Sequence, residues 1–224
     1  MNSERYGGVV FDCDGVLLDS NRIKAQAFRE VVAMHPAEAV DLFCAYQQAN
    51  PGLHRRQLFA HFFHEILRDP AADAQTEQAV AAFAARTLAA LQSCAAVPGA
   101  MELVRRLDAA GLPCVVVSAA EAADLALLLG RRGIAGHLKA IRGGDRPKAD
   151  HIADLLGAGV IARPLLYFGD SRADMEAAEA SKARFVMVSG ASDWTDGPAL
   201  CRARGHLVVE DLTAIDTGLF LVDL

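Results

Sequence analysis

Apolar and polar positions along the chain change rhythm three times. Residues 8–13, GVVFDC, form a short apolar run behind Gly7 and Gly8, which predicts a buried β-strand. Asp12 and Asp14 stand at its carboxyl end, followed by Gly15. From about residue 21 to 94 the period becomes helical. RIKAQAFREVVAM, AEAVDLFCAYQQA, RRQLFAHFFHEIL and EQAVAAFAARTLAALQ each place apolar residues on one face, and NPGLH (50–54) and Asp69-Pro70 break the run. This stretch predicts a block of four helices. After Pro98-Gly99 strands and helices alternate: helix AMELVRRLDAA, strand LPCVVVS (112–118), helix EAADLALLLGRR, a short strand at most in KAIRGG (139–144), helix KADHIADLLG, strand PLLYFGD (164–170), helix RADMEAAEAS, strand ARFVMVSG and a last strand in HLVVEDL. That alternation predicts a parallel sheet with helices on both faces. The fold class is therefore α/β: a Rossmann-like core from 1–20 and 95–224, with a four-helix insert at 21–94.

Composition agrees with this picture and narrows the function. The 224 residues suffice for one large domain or for a domain with an insert. The 43 alanines gather in the helical stretches, which disfavours an all-β fold. No run reaches ~18 apolar residues without a charge, so no membrane span is expected. MNSERYGG has no signal-peptide layout. Five cysteines (13, 44, 94, 114, 201) without paired spacing argue against disulfides and zinc and fit a reducing cytoplasm. A net charge of −6 argues against a broad nucleic-acid surface. Oligomeric state is not encoded in any of these features.

The polar residues at strand ends carry the chemistry. Taken singly, Ser118 reads as a helix cap, Lys148 as a surface lysine and Asp174 as a charge early in a helix. The topology, however, gathers Asp12, Asp14, Ser118, Lys148, Asp170 and Asp174 at one sheet edge, where α/β folds bind ligands. Packed carboxylates repel unless a cation lies among them, and oxygen ligands without Cys or His point to Mg²⁺. A carboxylate beside Mg²⁺ can attack phosphorus. On an extended strand Asp14 lies on the same side as Asp12 and can move a proton, whereas Cys13 faces the other way, into the core. Lys148 and Ser118 can hold phosphate oxygens.

Asp12-Cys-Asp14-Gly15-Val-Leu-Leu-Asp19-Ser20 resembles the first motif, DxDG[TV]xxDS, of the haloacid dehalogenase-like hydrolase superfamily. Ser118 after a Val-rich strand looks like its second motif, Lys148 in RPKADHI like its third, and Gly169-Asp170-Ser171-Arg-Ala-Asp174 like its fourth, GDSxxD. The resemblance spans about residues 8–190. It implies the capped branch with phosphoglycolate phosphatase-like and β-phosphoglucomutase-like members. It also implies Asp12 as nucleophile, Asp14 as general acid/base, and Ser118 and Lys148 as phosphate ligands. Mg²⁺ would be held by the Asp12 carboxylate, the Asp14 backbone carbonyl and Asp170, with Asp174 in direct or water-mediated support. An aspartate at position 14 separates phosphate-ester enzymes from dehalogenases of the superfamily. The expected activity is Mg²⁺-dependent hydrolysis of a small phosphorylated metabolite, such as a sugar phosphate or a phosphoglycolate-like ester. Two alternatives are a sugar phosphomutase, weakened because DSNRIKAQAF lacks the linker histidine of those enzymes, and a non-catalytic binding domain that keeps the fold. Lys24 and the loop residues His54, Arg55 and Arg56 are candidates to select substrate by meeting a second anion. His61 and His64 read as cap packing or surface, and the Trp194 loop has no assigned role.

Overall fold

A computed structural model describes residues 6–50, 52–144 and 146–215; the first five residues of the core segment, Pro51, Asp145 and residues 216–224 lie outside the described set. Six parallel strands form one sheet in the order β3-β2-β1-β4-β5-β6. They are β1 (Gly8–Phe11), β2 (Cys114–Val117), β3 (Ala140–Arg142), β4 (Leu165–Gly169), β5 (Arg184–Val188) and β6 (Leu207–Val209). This is the doubly wound Rossmann-like order, and its direction of winding reverses between β1 and β4. β1, β2 and β4 are buried along their whole lengths, as expected of strands covered on both faces.

On one face Val9, Phe11, Cys114 and Val116 pack with Leu103, Leu107 and Leu129, which belong to α5 (Ala100–Ala109) and α6 (Ala122–Arg131). On the other, Val10, Val115 and Tyr167 pack with Ile152, Met175 and Cys201, from α7 (Lys148–Gly157), α8 (Arg172–Ala180) and α9 (Gly197–Ala203). Cys13 is buried in the first of these layers, as the sequence predicts. The helix α9 is absent from the sequence reading. Pro198 stands in its first turn, where the missing N–H is harmless, and the surrounding SDWTDG reads locally as loop.

Four α-helices fill the chain between β1 and α5: α1 (Asn21–Val31), α2 (Ala37–Ala49), α3 (Arg55–His61) and α4 (Ala72–Ser93). They have a hydrophobic centre of their own, in which Phe28, Phe43, Phe59, Phe62, Phe63 and Phe83 are buried together. A π-helical turn, Phe62–Ile66, continues α3 and turns the consecutive Phe62 and Phe63 both inward. α4 begins at Ala72, some residues before the apolar period becomes visible. The Asp69 carboxylate accepts the Ala71 N–H, so the Asp-Pro break is a turn that leads directly into the helix. The histidines of this block behave as packing and surface groups: His61 stacks on Tyr46, His35 packs edge-on to Phe62 and Phe63, and His64 pairs with Asp73.

Candidate active site

The carboxyl ends of the two central strands deliver the two best-placed carboxylates. Asp12 follows β1, and its N–H still donates to Phe168 of β4 (2.9 Å). Asp170 follows β4 directly. β1 stops at Phe11, so strand alternation does not bring Asp14 round to Asp12. The chain turns directly after Asp14, at Gly15 with φ +73°, and a Cβ on Gly15 would run into the Asp170 carboxylate. Both Asp12 and Asp14 line one cavity, together with Ser118, Lys148 and Asp170.

Lys148 is no surface lysine. It opens α7, is buried, and reaches Asp12 Oδ1 at 3.0 Å and Asp174 Oδ1 at 2.6 Å. Asp174 is fully buried. Its Oδ1 also accepts from Tyr167 Oη (2.7 Å). Its Oδ2 accepts from Ser171 Oγ (2.5 Å) and from the Ser171 and Asp170 N–H groups (3.1 and 3.3 Å). Ser171 and Asp174 thus cap α8 reciprocally. With both oxygens bonded from five donors, Asp174 holds Lys148 and the 170–171 backbone in place. Asp170 is steadied by Asn21, whose Nδ2 donates to Oδ2 at 2.7 Å, and by Ser192, whose hydroxyl donates to the Asp170 carbonyl at 2.6 Å. The loop that carries Ser192 also brings buried Trp194 to the cavity, which answers what that loop touches. Ser118 Oγ accepts the Ala120 N–H (3.2 Å), which leaves its proton to donate into the cavity.

Asp14 is oriented differently. Lys24 Nζ lies 2.5 Å from its Oδ2, and Ser20 Oγ donates to its Oδ1 at 2.5 Å. Burial by itself would raise this carboxyl, but the Lys24 ammonium and the two hydrogen bonds overcome it and hold Asp14 below the ordinary carboxylate range. Asp12 goes the other way. Burial lifts it to about 7 against the pull of Lys148, with help from Asp174 and Asp14. Burial, then the charges of Asp174 and Asp12, push Asp170 well above its usual value.

Negative charge outweighs positive at this sheet edge. The four carboxylates of Asp12, Asp14, Asp170 and Asp174 face two ammoniums, Lys24 and Lys148, and a divalent cation would supply the difference. Carboxylate oxygens of Asp12, Asp170 and Asp174 lie within 4.8 Å of one another, all three residues buried. A donor set made only of oxygen suits a hard cation. The residues therefore fit a divalent metal. The Asp14 side chain, taken up by Lys24 and Ser20, is outside this cluster.

The loop residues separate. Gly52, at φ +90°, leans on the motif after β4, where a Cβ would come within 2.8 Å of Ala173 Cβ; the loop thus closes over the sheet edge. Arg55 and Lys24 line the cavity. Arg55 pairs with Asp124 (3.2 Å) and Glu121 (3.6 Å) of the core. His54 is not among the cavity-lining residues: its Nδ1 accepts the Arg56 N–H to cap α3, and its Nε2 meets Glu121 at 3.0 Å. Arg56 turns outward to Glu77 on α4. Neither His54 nor Arg56 is thus placed to meet a second anion. Asn21, Tyr167, Glu121 and Asp124 have positioning roles that the sequence reading missed. Only Asn21, directly after the Asp19-Ser20 motif, had a local signal.

The fold and the site together define a Rossmann-like core whose carboxylate-rich centre is covered by an inserted helical cap. The chain belongs to the haloacid dehalogenase-like hydrolase family, whose model matches residues 9–188. It is 27% identical over 224 residues to the phosphoglycolate phosphatase of Pseudomonas savastanoi pv. phaseolicola, covering 96% of this chain and 80% of that one. The corresponding enzyme of Pseudomonas putida is 28% identical over 232 residues, with 96% and 83% covered. Among solved structures, CbbY from Rhodobacter sphaeroides in complex with phosphate shares the fold at TM-score 0.71 and 19% identity, with 93% and 96% covered. β-Phosphoglucomutase from Clostridium difficile does so at TM-score 0.72 and 14% identity, with 95% and 94% covered. Among the described residues no helix is long and apolar enough to cross a membrane.

Proposed function

We propose that the chain is a Mg²⁺-dependent phosphomonoester hydrolase that works through an aspartyl-phosphate on Asp12, with residues 21–94 as the substrate-selecting cap over a core of 1–20 and 95–224. The observation that carries this reading is the pair of unlike carboxylates at one cavity. Asp12 is ion-paired to the phosphate-binding candidate Lys148, and Asp14 is held by Lys24 and Ser20.

A phosphate ester lying between Ser118 and Lys148 presents phosphorus to Asp12. An Asp12 oxygen attacks, the P–O bond to the alcohol breaks, and Asp14 gives its proton to the departing oxygen. Asp14, now ionised, takes a proton from water. That water attacks phosphorus, inorganic phosphate leaves, and Asp12 is regenerated with Asp14 protonated again. The Lys24 ion pair stabilises the ionised, base form of Asp14 that the second half requires, and it has to open for Asp14 to carry the proton that the first half gives away. Bound Mg²⁺ would be held by Asp12, Asp170 and the Asp14 carbonyl, with Asp174 in support. It would neutralise negative charge on the phosphoryl group and keep Asp12 ionised.

The test is phosphate release across small phosphate esters, with and without bisphosphate activators. Free inorganic phosphate without activator supports hydrolysis. Isomerised sugar phosphate that depends on a bisphosphate would replace the reading by a mutase, and no turnover of any ester would replace it by a binding domain.

A further inference from the structure

The first turn of the cap reaches into the core beside the cluster of carboxylates. Asn21 is the first residue of α1 and lines the cavity. Its Nδ2 donates to Asp170 Oδ2 (2.7 Å) and to the Ala191 carbonyl (2.8 Å). Both partners are acceptors, so the side chain must turn its nitrogen to them, and both hydrogens of the amide are used. Among the described residues this is the one hydrogen bond made to the Asp170 carboxylate, and it leaves Oδ1 for a cation. Gly15 makes room for the contact: a Cβ there would run into the Asp170 carboxylate and come within 2.7 Å of Asn21 Nδ2.

Asn21 also holds the loop that holds the Asp170 main chain. Ser192, the residue after Ala191, donates to the Asp170 carbonyl (2.6 Å). One amide therefore joins the cap, the candidate metal ligand and the loop after β5. On the cap side it is firmly anchored, because α1 continues into Ala27 and Phe28, which are buried in the cap's own cluster. Lys24, one turn further along α1, is the residue paired with Asp14. Hydrogen bonds of this kind orient a ligating carboxylate and alter metal affinity without touching the metal.

We propose that Asn21 is a positioning residue for the cation: it fixes the Asp170 carboxylate with its second oxygen free to ligate, and because it belongs to the cap it makes cation binding depend on how the cap is seated. By reciprocity the bound cation favours the seated cap. This inference rests on the proposed metal site. A purely structural Asn21 would add stability to the metal-free protein and leave cation affinity alone.

The test is calorimetric titration of the chelator-stripped full chain with Mg²⁺, for the wild type and for Asn21→Leu, which keeps the shape of the side chain and removes its donor. The affinity is expected to fall about tenfold or more. Amide exchange in α1, followed by mass analysis of its peptides, is expected to slow when Mg²⁺ binds the wild type and to respond much less in Asn21→Leu. Unchanged Mg²⁺ affinity in folded Asn21→Leu overturns the inference while the metal site stands, and so does a wild type that binds Mg²⁺ with no slowing in α1. If the wild type binds no Mg²⁺, the metal site itself fails and the inference with it. If Asn21→Leu does not fold, Asn21→Ser, whose single O–H can serve one acceptor at most, makes the same test.

Discussion

The sheet edge and the cap meet across one cavity and are built on opposite principles. At the sheet edge, buried carboxylates stand within ion-pair distance of two lysines, and negative charge is left over. In the cap, a cluster of phenylalanines supplies the interior, and Arg55, which lies over the Phe83 ring, spends its charge on core carboxylates. An unbalanced polar cluster costs stability and persists where chemistry needs it. A closed aromatic cluster costs nothing and shapes what can enter. On the proposed reading, phosphorus chemistry belongs to one wall and choice of alcohol to the other.

The strongest way to break that assignment is Asp14→Asn. Loss of a positioned acid/base should lower kcat/KM by about 10²–10⁴-fold for an alkyl phosphate. The loss should be much smaller for p-nitrophenyl phosphate, whose leaving oxygen departs without a proton. Equal losses on both esters would show that Asp14 is not the proton donor. On the cap side, Phe59→Ala removes a fully buried ring that stacks on Phe43 (5.6 Å). It should cost about 3–5 kcal/mol of folding stability, read from denaturant unfolding. A loss below about 1 kcal/mol would mean that the cap has no well-packed interior of its own.

The smallest effect concerns the surplus negative charge. Asp12 titrates at about 7 in the folded chain against 3.8 for a free carboxyl. Between those values the folded state binds more protons than the unfolded one, so without metal stability falls as pH rises through that window. Mg²⁺ competes with those protons. The rise in Tm from Mg²⁺ relative to chelator should therefore be small near pH 5 and several degrees near pH 8. The same rise at both pH values would contradict the charge argument.

Much of this architecture is legible in the sequence. The apolar run ending in Asp12-Cys-Asp14, the helical period from 21 to 94 and the later strand–helix alternation are local patterns, set by which faces must be buried. The short β3 and β6 are borderline for the same reason, since each has few buried positions to leave a pattern. What stays hidden is who pairs with whom. Arg55 and Arg56 look alike as neighbours at a helix start. One reaches Asp124, 69 positions away, and the other Glu77. Lys24 reads as a free cation until the fold places it against Asp14. Tyr167 is one more apolar strand residue until Asp174 lies beside its hydroxyl. These partnerships depend on the packing of separate elements, which no periodicity records.

The central claim is covalent chemistry at Asp12. It is tested most directly by rapid acid quench of the Mg²⁺-loaded protein during turnover of a phosphate ester, followed by peptide mass analysis. The account predicts the mass of one phosphoryl group on the peptide containing Asp12, absent in Asp12→Asn together with turnover. Turnover that persists in Asp12→Asn, or a phosphoryl group found on another residue, would contradict it.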